Sequence, residues 1–409
     1  MRKLLTPRRR RNDLATRSFS GWWRLAHSIR GRMATARRRA DVLILGAGPA
    51  GLATAYELKR REIDYLVLEG GSNMAQSWVD MPTHLKLVSP WKANHLPGSD
   101  ARRFPANREI TRADYAAALH DYAQAHELEV QTGVRVHEVA QAAGTGFQLH
   151  TAAGPFQARM VINATGCFAN PYLPVFPGAS ESPLPQFHFA TYRNAQWLRA
   201  ATGTDRPRIL IVGKQLSAGQ LVVELTAAGF EVALACRGPI QFGADELGAW
   251  LFFRIHPSLE RLRLWWGGKK ARGFPPVMPG GAARRLIASG RVHVFPNIAR
   301  LEGRRVDFVD GRCWEPHALI YATGFRPALA HLDPLGLVLD EHTGRPRLCG
   351  FESEDRPGLF FVGLDQLRNF RSRFLRGIRE DAPLLAAQIS SRLSALSLNR
   401  PGQATPLVA

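Results

Sequence analysis

Cysteine is scarce in this chain. The four cysteines, Cys167, Cys236, Cys313 and Cys349, stand singly with no C-x-x-C pair. That excludes a redox dithiol or a zinc knuckle built on such a pair, and it fits a reduced, cytoplasmic compartment. No run of 18 apolar residues occurs, so no membrane-spanning helix is expected. Acidic residues are few, 34 against 54 Lys and Arg, which leaves a net charge of +20. Such an excess suggests nucleic acid until it is located. Residues 1–40 hold thirteen Lys and Arg and one acid, Asp13, so most of the excess sits in one arm and no nucleic-acid partner is expected. An arm so rich in arginine reads as a disordered extension over 1–39, with contact to an anionic membrane surface as the alternative. Arg8, Arg9, Arg10 and Arg11 are followed by no apolar stretch, so export is not expected.

What is present is nucleotide-binding architecture. A chain of 409 residues is long enough for two domains or three. The stretch "DVLILGAGPAGLATAYELKRREIDYLVLEG" (41–70) reads as buried strand, glycine turn, helix and second strand. In its turn, Gly46 permits the tight bend, and Gly48, followed by Pro49 and Ala50, lets the backbone approach a pyrophosphate. Gly51 lets the helix pack closely on the strand, and the helix N-terminal amides face the phosphates. Glu69 ends the second strand, where a carboxylate bonds a ribose diol and repels a 2′-phosphate, which favours FAD or NAD over NADP.

A second unit, "RILIVGKQLSAGQLVVELTAAGFEVALACR" (208–237), repeats the pattern with one departure. Gly213 supplies the first glycine, Gln215 replaces the second, and Ser217 and Ala218 keep the close helix packing. Gln215 either holds the cofactor off the backbone or opens the turn. Lys214 offers a compensating charge, and Arg237 stands where Glu69 stands in the first unit, suited by charge and fork geometry to the 2′-phosphate of NADPH. An aromatic, basic segment at 246–276 lines an apolar entrance, rests on a membrane surface, or is the packing face of ordinary helices.

Four further stretches carry a family likeness: "SWVDMPTHLKLVSP" (77–90), "VINATGCFANPYLPVFPG" (161–178), "HALIYATGFRP" (317–327) and "GLFFVGLDQLRNFRSRFLRGIRED" (358–381). With them, residues 41–395 resemble the class B flavoprotein monooxygenases, nearest the bacterial YUCCA-like members. The resemblance implies an α/β fold of two nested Rossmann-like domains. An FAD domain spans 40–200 plus 318–409, and an NADPH domain spans 201–317.

It also implies the site residues. Ser77 and Trp78 lie near the flavin, Val136 contacts adenine, and Ala164, Thr165, Gly166 and Ala322, Thr323, Gly324 form the crossings between domains. Gly363 and Asp365 make the second approach to the flavin. The family asparagine that supports the oxygenated flavin matches Pro90 here, which leaves Ser89 or Thr83 to do its work. The linker "SPLPQFHFATYRN" (182–194) keeps His188 and Tyr192 of the family pattern but lacks its Phe and Gly, and His188 is carried over as a candidate catalytic residue beside Ser89.

The implied reaction is reduction of FAD by NADPH, formation of a flavin C4a-hydroperoxide from O2, and transfer of one oxygen atom to an apolar or aromatic small molecule. Two other readings stay open at this point: an FAD protein with a degraded nicotinamide site acting as a redox sensor, and a flavin reductase serving a partner.

Overall fold

The computed structural model describes residues 37–105, 108–143, 146–243 and 277–398. The basic arm up to residue 36 and the aromatic segment at 246–276 therefore lie outside the described residues.

The chain opens with strand β1 (Arg39–Leu45), helix α1 (Pro49–Lys59) and β2 (Tyr65–Glu69). Two short helices, α2 (Gln76–Asp80) and α3 (Trp91–Asn94), lead to α4 (Arg112–Ala125). Thr111 caps α4 reciprocally with Asp114, satisfying backbone donors that the helix start leaves free. Strands β3 (Val130–Thr132), β4 (Val136–Gln141), β5 (Phe147–Thr151) and β6 (Phe156–Asn163) follow. β1 pairs in parallel with β2 and β6, and its Val42, Leu43, Ile44 and Leu45 are almost wholly buried. An unbroken apolar run suits a strand covered on both faces. One face packs on α1 and α4, the other on β4, β5 and the turn Ala330–Leu335.

Strand β7 (Gln186–His188) and helix α5 (Ala195–Thr202) begin a second body. It continues through β8 (Arg208–Val212), α6 (Leu216–Ala227), β9 (Glu231–Ala235), α7 (Ala282–Ala288) and β10 (Val292–Phe295). Strands β11 (Ile298–Glu302), β12 (Arg305–Phe308) and β13 (Cys313–Trp314) form an antiparallel ribbon, and β14 (Ala318–Tyr321) returns to the sheet. The sheet order is β10-β9-β8-β14-β7, all parallel. β15 (Leu348–Cys349), β16 (Glu352–Ser353), β17 (Leu359–Phe361) and α8 (Leu375–Leu398) then complete the first body.

The expected α/β architecture of two nested dinucleotide-binding folds is the one observed, with shifted boundaries. Residues 186–188 and 318–321, expected in the FAD domain, are strands of the second sheet. Arg39, expected in the extension, pairs with Gln157 inside the first sheet. Which sheet receives a crossing strand is decided by pairing register, and composition does not mark the changeover. No described helix is long and apolar enough to cross a membrane.

Candidate active site

The two nucleotide turns are built alike. Gly46 has φ +102°, and a Cβ there would sit 2.8 Å from the Ala164 carbonyl oxygen. Gly213 has φ +143°, and its Cβ would sit 2.4 Å from the Ala322 oxygen. Each crossing alanine thus presses its backbone under the first glycine of one turn, which no side chain tolerates. A Cβ on Gly51 would fall 1.9 Å from the Gly46 oxygen, whereas Ala218 occupies the matching place fully buried.

The middle positions differ in another way. Gly48 caps α1 with extended backbone, φ −81° and ψ −175°, and a Cβ there meets nothing within 4 Å. Gln215 caps α6 with the same kind of backbone, φ −114° and ψ −157°, and is exposed. Neither position demands glycine for the fold. The glycine at 48 leaves space open above the helix start, and the glutamine at 215 fills the corresponding space without strain.

A cleft of about 730 Å³ runs past the first turn. Gly46, Gly48, Glu69, Val136 and Ala164 line it, together with Arg135 and His331. Glu69 is held rigidly: the Ala47 and Gly71 amides donate to its two oxygens at 2.8 and 2.7 Å. His331 packs against Asn163 Oδ1 at 2.9 Å, and burial drives its imidazole down to about 4 against a smaller upward pull from Asp333.

Continuous with this cleft is a smaller cavity of about 350 Å³, sharing Gly48, Ser77, Ala164 and Thr165. Pro49, Ala50, Gly166 and Gly363 close one side, and Leu216, Ser217 and Gln220 at the start of α6 close another. Trp78, Phe168, Phe189 and Phe325 make the cavity apolar. Gly363 approaches so closely that a Cβ there would lie 2.9 Å from the Ala50 Cβ.

Ser89 faces this cavity beside a residue that the sequence did not single out. Asn94 is 3 % exposed and donates through Nδ2 to the Ser89 carbonyl at 2.6 Å, while Ser89 Oγ donates to Asn94 Oδ1 at 2.8 Å. The amide missing at Pro90 is thus present one short helix later. Its signal was weak because α3 is a single turn with no readable periodicity.

Other expected residues stand apart from the two cavities. His188 is buried with both ring nitrogens used: Nε2 donates to the Gly324 carbonyl at 3.0 Å, and Nδ1 accepts from the Ala190 amide at 3.1 Å. Burial also lowers its pKa. A neutral, doubly bonded imidazole outside both linings fixes the linker to the second crossing, a different task from the catalytic one expected of it. Asp365 is exposed and accepts from Arg373 at 3.1 Å. Thr323 Oγ1 donates to the Tyr172 carbonyl, and Thr83 Oγ1 donates to the Arg193 carbonyl at 3.2 Å. Around the second turn, Lys214 Nζ donates to the Pro239 carbonyl at 3.1 Å, and Arg237 is exposed at the end of β9.

The residues present fit a dinucleotide on each turn. The first turn leaves its helix start open beside a held carboxylate, and the second has Lys214 in the turn after β8 and Arg237 just past the end of β9. A profile described as pyridine nucleotide-disulphide oxidoreductase matches residues 43–270, more than half of the chain. The chain belongs to that family. Among relatives, an uncharacterized CzcO-like oxidoreductase of Geobacillus kaustophilus is 29% identical, covering 85% of this chain and 98% of its own. Indole-3-pyruvate monooxygenase YUCCA4 of Oryza sativa is 26% identical over 88% of this chain and 89% of its own. A mutant of the flavin monooxygenase of Stenotrophomonas maltophilia superposes with a TM-score of 0.72 at 25% identity, covering 87% and 99% of the two chains. Within the pyridine nucleotide-disulphide oxidoreductase family, the chain falls with the class B flavoprotein monooxygenases, oxidoreductases that use FAD and NADPH. The disulphide of the family description has no counterpart here, since all four cysteines are free.

Proposed function

We propose that the protein is an NADPH-using monooxygenase that places one oxygen atom of O2 in an apolar or aromatic small molecule. The observation that carries this reading is the opening of both nucleotide turns onto one apolar cavity: Gly48 and Pro49 from the first, Leu216 and Ser217 from the second. Glu69 and Val136 in the larger cleft would hold the adenosine of FAD, and Trp78 and Gly363 in the smaller cavity would stand by its ring. When bound, it supplies the electron transfer and the oxygen chemistry.

The chain's own residues do the rest. Helix starts α1 and α6 offer amides to phosphate, and Arg237 with Lys214 favours a 2′-phosphate. Trp78, Phe168, Phe189 and Phe325 exclude water, which protects an oxygen-reactive centre from wasteful breakdown. The Ser89–Asn94 pair offers neutral hydrogen-bonding groups in a cavity whose lining also carries Gln220, Lys86 and Arg373. Free thiols, with Cys313 and Cys349 exposed, support a reducing compartment such as the cytoplasm.

The experiment is anaerobic mixing of the purified yellow protein with NADPH, followed by air. Bleaching, then recovery of the flavin spectrum with oxygen consumption, is expected. A flavin that NADPH leaves oxidised defeats the reading.

A further inference from the structure

Helix α6 reaches the smaller cavity with Leu216, Ser217 and Gln220. One turn further along the same helix face stands Glu224. Facing it is His84, from the 81–89 segment whose Met81, Leu85 and Ser89 line the cavity from the other body. His84 Nδ1 lies 2.8 Å from Glu224 Oε2, and the two side chains are only 25% and 16% exposed. Tyr192 closes the group from the linker. It is fully buried, its ring centroid is 6.0 Å from that of His84, and burial together with the Glu224 carboxylate raises its phenol pKa. The same segment is tied again next door, where the Thr83 amide donates to the Arg193 carbonyl at 3.0 Å and Arg193 Nη1 donates to the Asp80 carbonyl at 2.7 Å.

None of His84, Glu224 and Tyr192 lines either cavity. Burying an imidazole, a carboxylate and a phenol between two bodies costs desolvation that an apolar contact avoids. What this close polar contact adds is a preferred register: it lies off the line of a hydrogen bond, yet the attraction between imidazole and carboxylate falls as the two separate, while an apolar contact slides. We infer that His84 and Glu224 are positioning residues that set the register of α6 against the cavity wall, and so the distance between the reductant's site and the flavin's. This inference rests on the function proposed above.

The test uses the FAD-loaded enzyme and the variants His84→Leu, Glu224→Leu and His84→Asn, the last keeping a donor near the Nδ1 position. Stopped-flow reduction by NADPH, without oxygen, gives a limiting rate and a half-saturating concentration. The Leu variants should keep their FAD and a near-normal half-saturating concentration while losing roughly 10- to 100-fold in limiting rate, the range a displacement of about an ångström carries. His84→Asn should recover most of that rate, which a general loss of stability would not allow. Amide hydrogen exchange without nicotinamide gives an independent readout: the first turn of α6 and residues 83–85 should exchange faster together in the Leu variants and not in His84→Asn. Leu variants with wild-type rates and wild-type exchange would overturn the inference. Failure of NADPH to reduce the wild type would instead defeat the proposed function, and the exchange data would still judge the pair.

Discussion

Gly48→Val separates folding from cofactor binding within a single turn. At Gly48 the backbone is extended, φ −81°, and a Cβ would meet nothing within 4 Å. The empty protein should therefore lose no stability, and replacing glycine contributes about 0.4–1 kcal/mol in its favour by restricting the unfolded chain. Bound FAD meets the opposite situation, because the valine methyls occupy the approach to the α1 amides. Losing two charge-assisted hydrogen bonds at about 1.5–3 kcal/mol each weakens binding roughly a hundredfold to ten-thousandfold. The assay pairs thermal unfolding of the apoprotein with flavin absorbance after purification and after titration with FAD. The expected variant is colourless, with an unfolding temperature equal to or above that of apo wild type. Gly51→Ala is the contrast: its Cβ falls 1.9 Å from the Gly46 oxygen, so fold and flavin should fail together. Full flavin occupancy in Gly48→Val would refute the assignment of the first turn.

Three other outcomes follow from the same geometry. Gln215 sits unstrained and exposed over the start of α6, so Gln215→Gly should lower the NADPH concentration for half-maximal flavin reduction. One or two recovered hydrogen bonds, less the entropy of glycine, amount to about 1 kcal/mol net, and weaker binding would mean that the amide contacts the cofactor. Arg237→Ala should raise the NADPH requirement roughly 10- to 150-fold while leaving NADH unchanged, and an unaltered preference removes Arg237 from the site. For His331, a folded pKa of about 4 lies below the ordinary histidine value of 6.5, so the unfolded chain binds the proton more tightly. Its stabilising contribution is complete above about pH 6.5 and is lost as pH falls toward 4, on the order of 2–3 kcal/mol. Urea unfolding of the apoprotein across that range should show a shallower acid decline in His331→Gln, and parallel curves would contradict the sign.

The parts legible in the sequence were those whose requirement is local. Gly46 and Gly213 announce themselves because a positive φ beside a crossing carbonyl admits no other residue, and the strands show as unbroken apolar runs. Glu69 was readable as a cleft residue because a strand end fixes where a side chain stands. Parts set by tertiary packing were not. Asn94 reaches the cavity only because α3 folds back under Ser89, and a four-residue helix leaves no pattern. His188 reads as a catalytic candidate from its place in the linker pattern, yet both its ring nitrogens bond backbone partners at 190 and 324. The sheet that claims residues 186–188 and 318–321 is likewise decided by pairing register, which composition does not encode.

The two crossings have a consequence for how the chain can be rearranged. They run side by side, with Pro171 bridged to Phe325, the Tyr172 amide donating to the Gly324 carbonyl at 3.0 Å, and the Ala328 amide donating to the Gly166 carbonyl at 3.0 Å. The second body therefore enters and leaves the first through one doorway, its ends a hydrogen bond apart. An insert with touching ends adds almost no loop-closure entropy to its host. Chain connectivity is accordingly no obstacle to closing the host over the gap with a short turn; what ties the two bodies is packing, with Met81 of the host buried in the core of the insert. What reads along the chain as a long interruption is, in space, a loop with a single doorway.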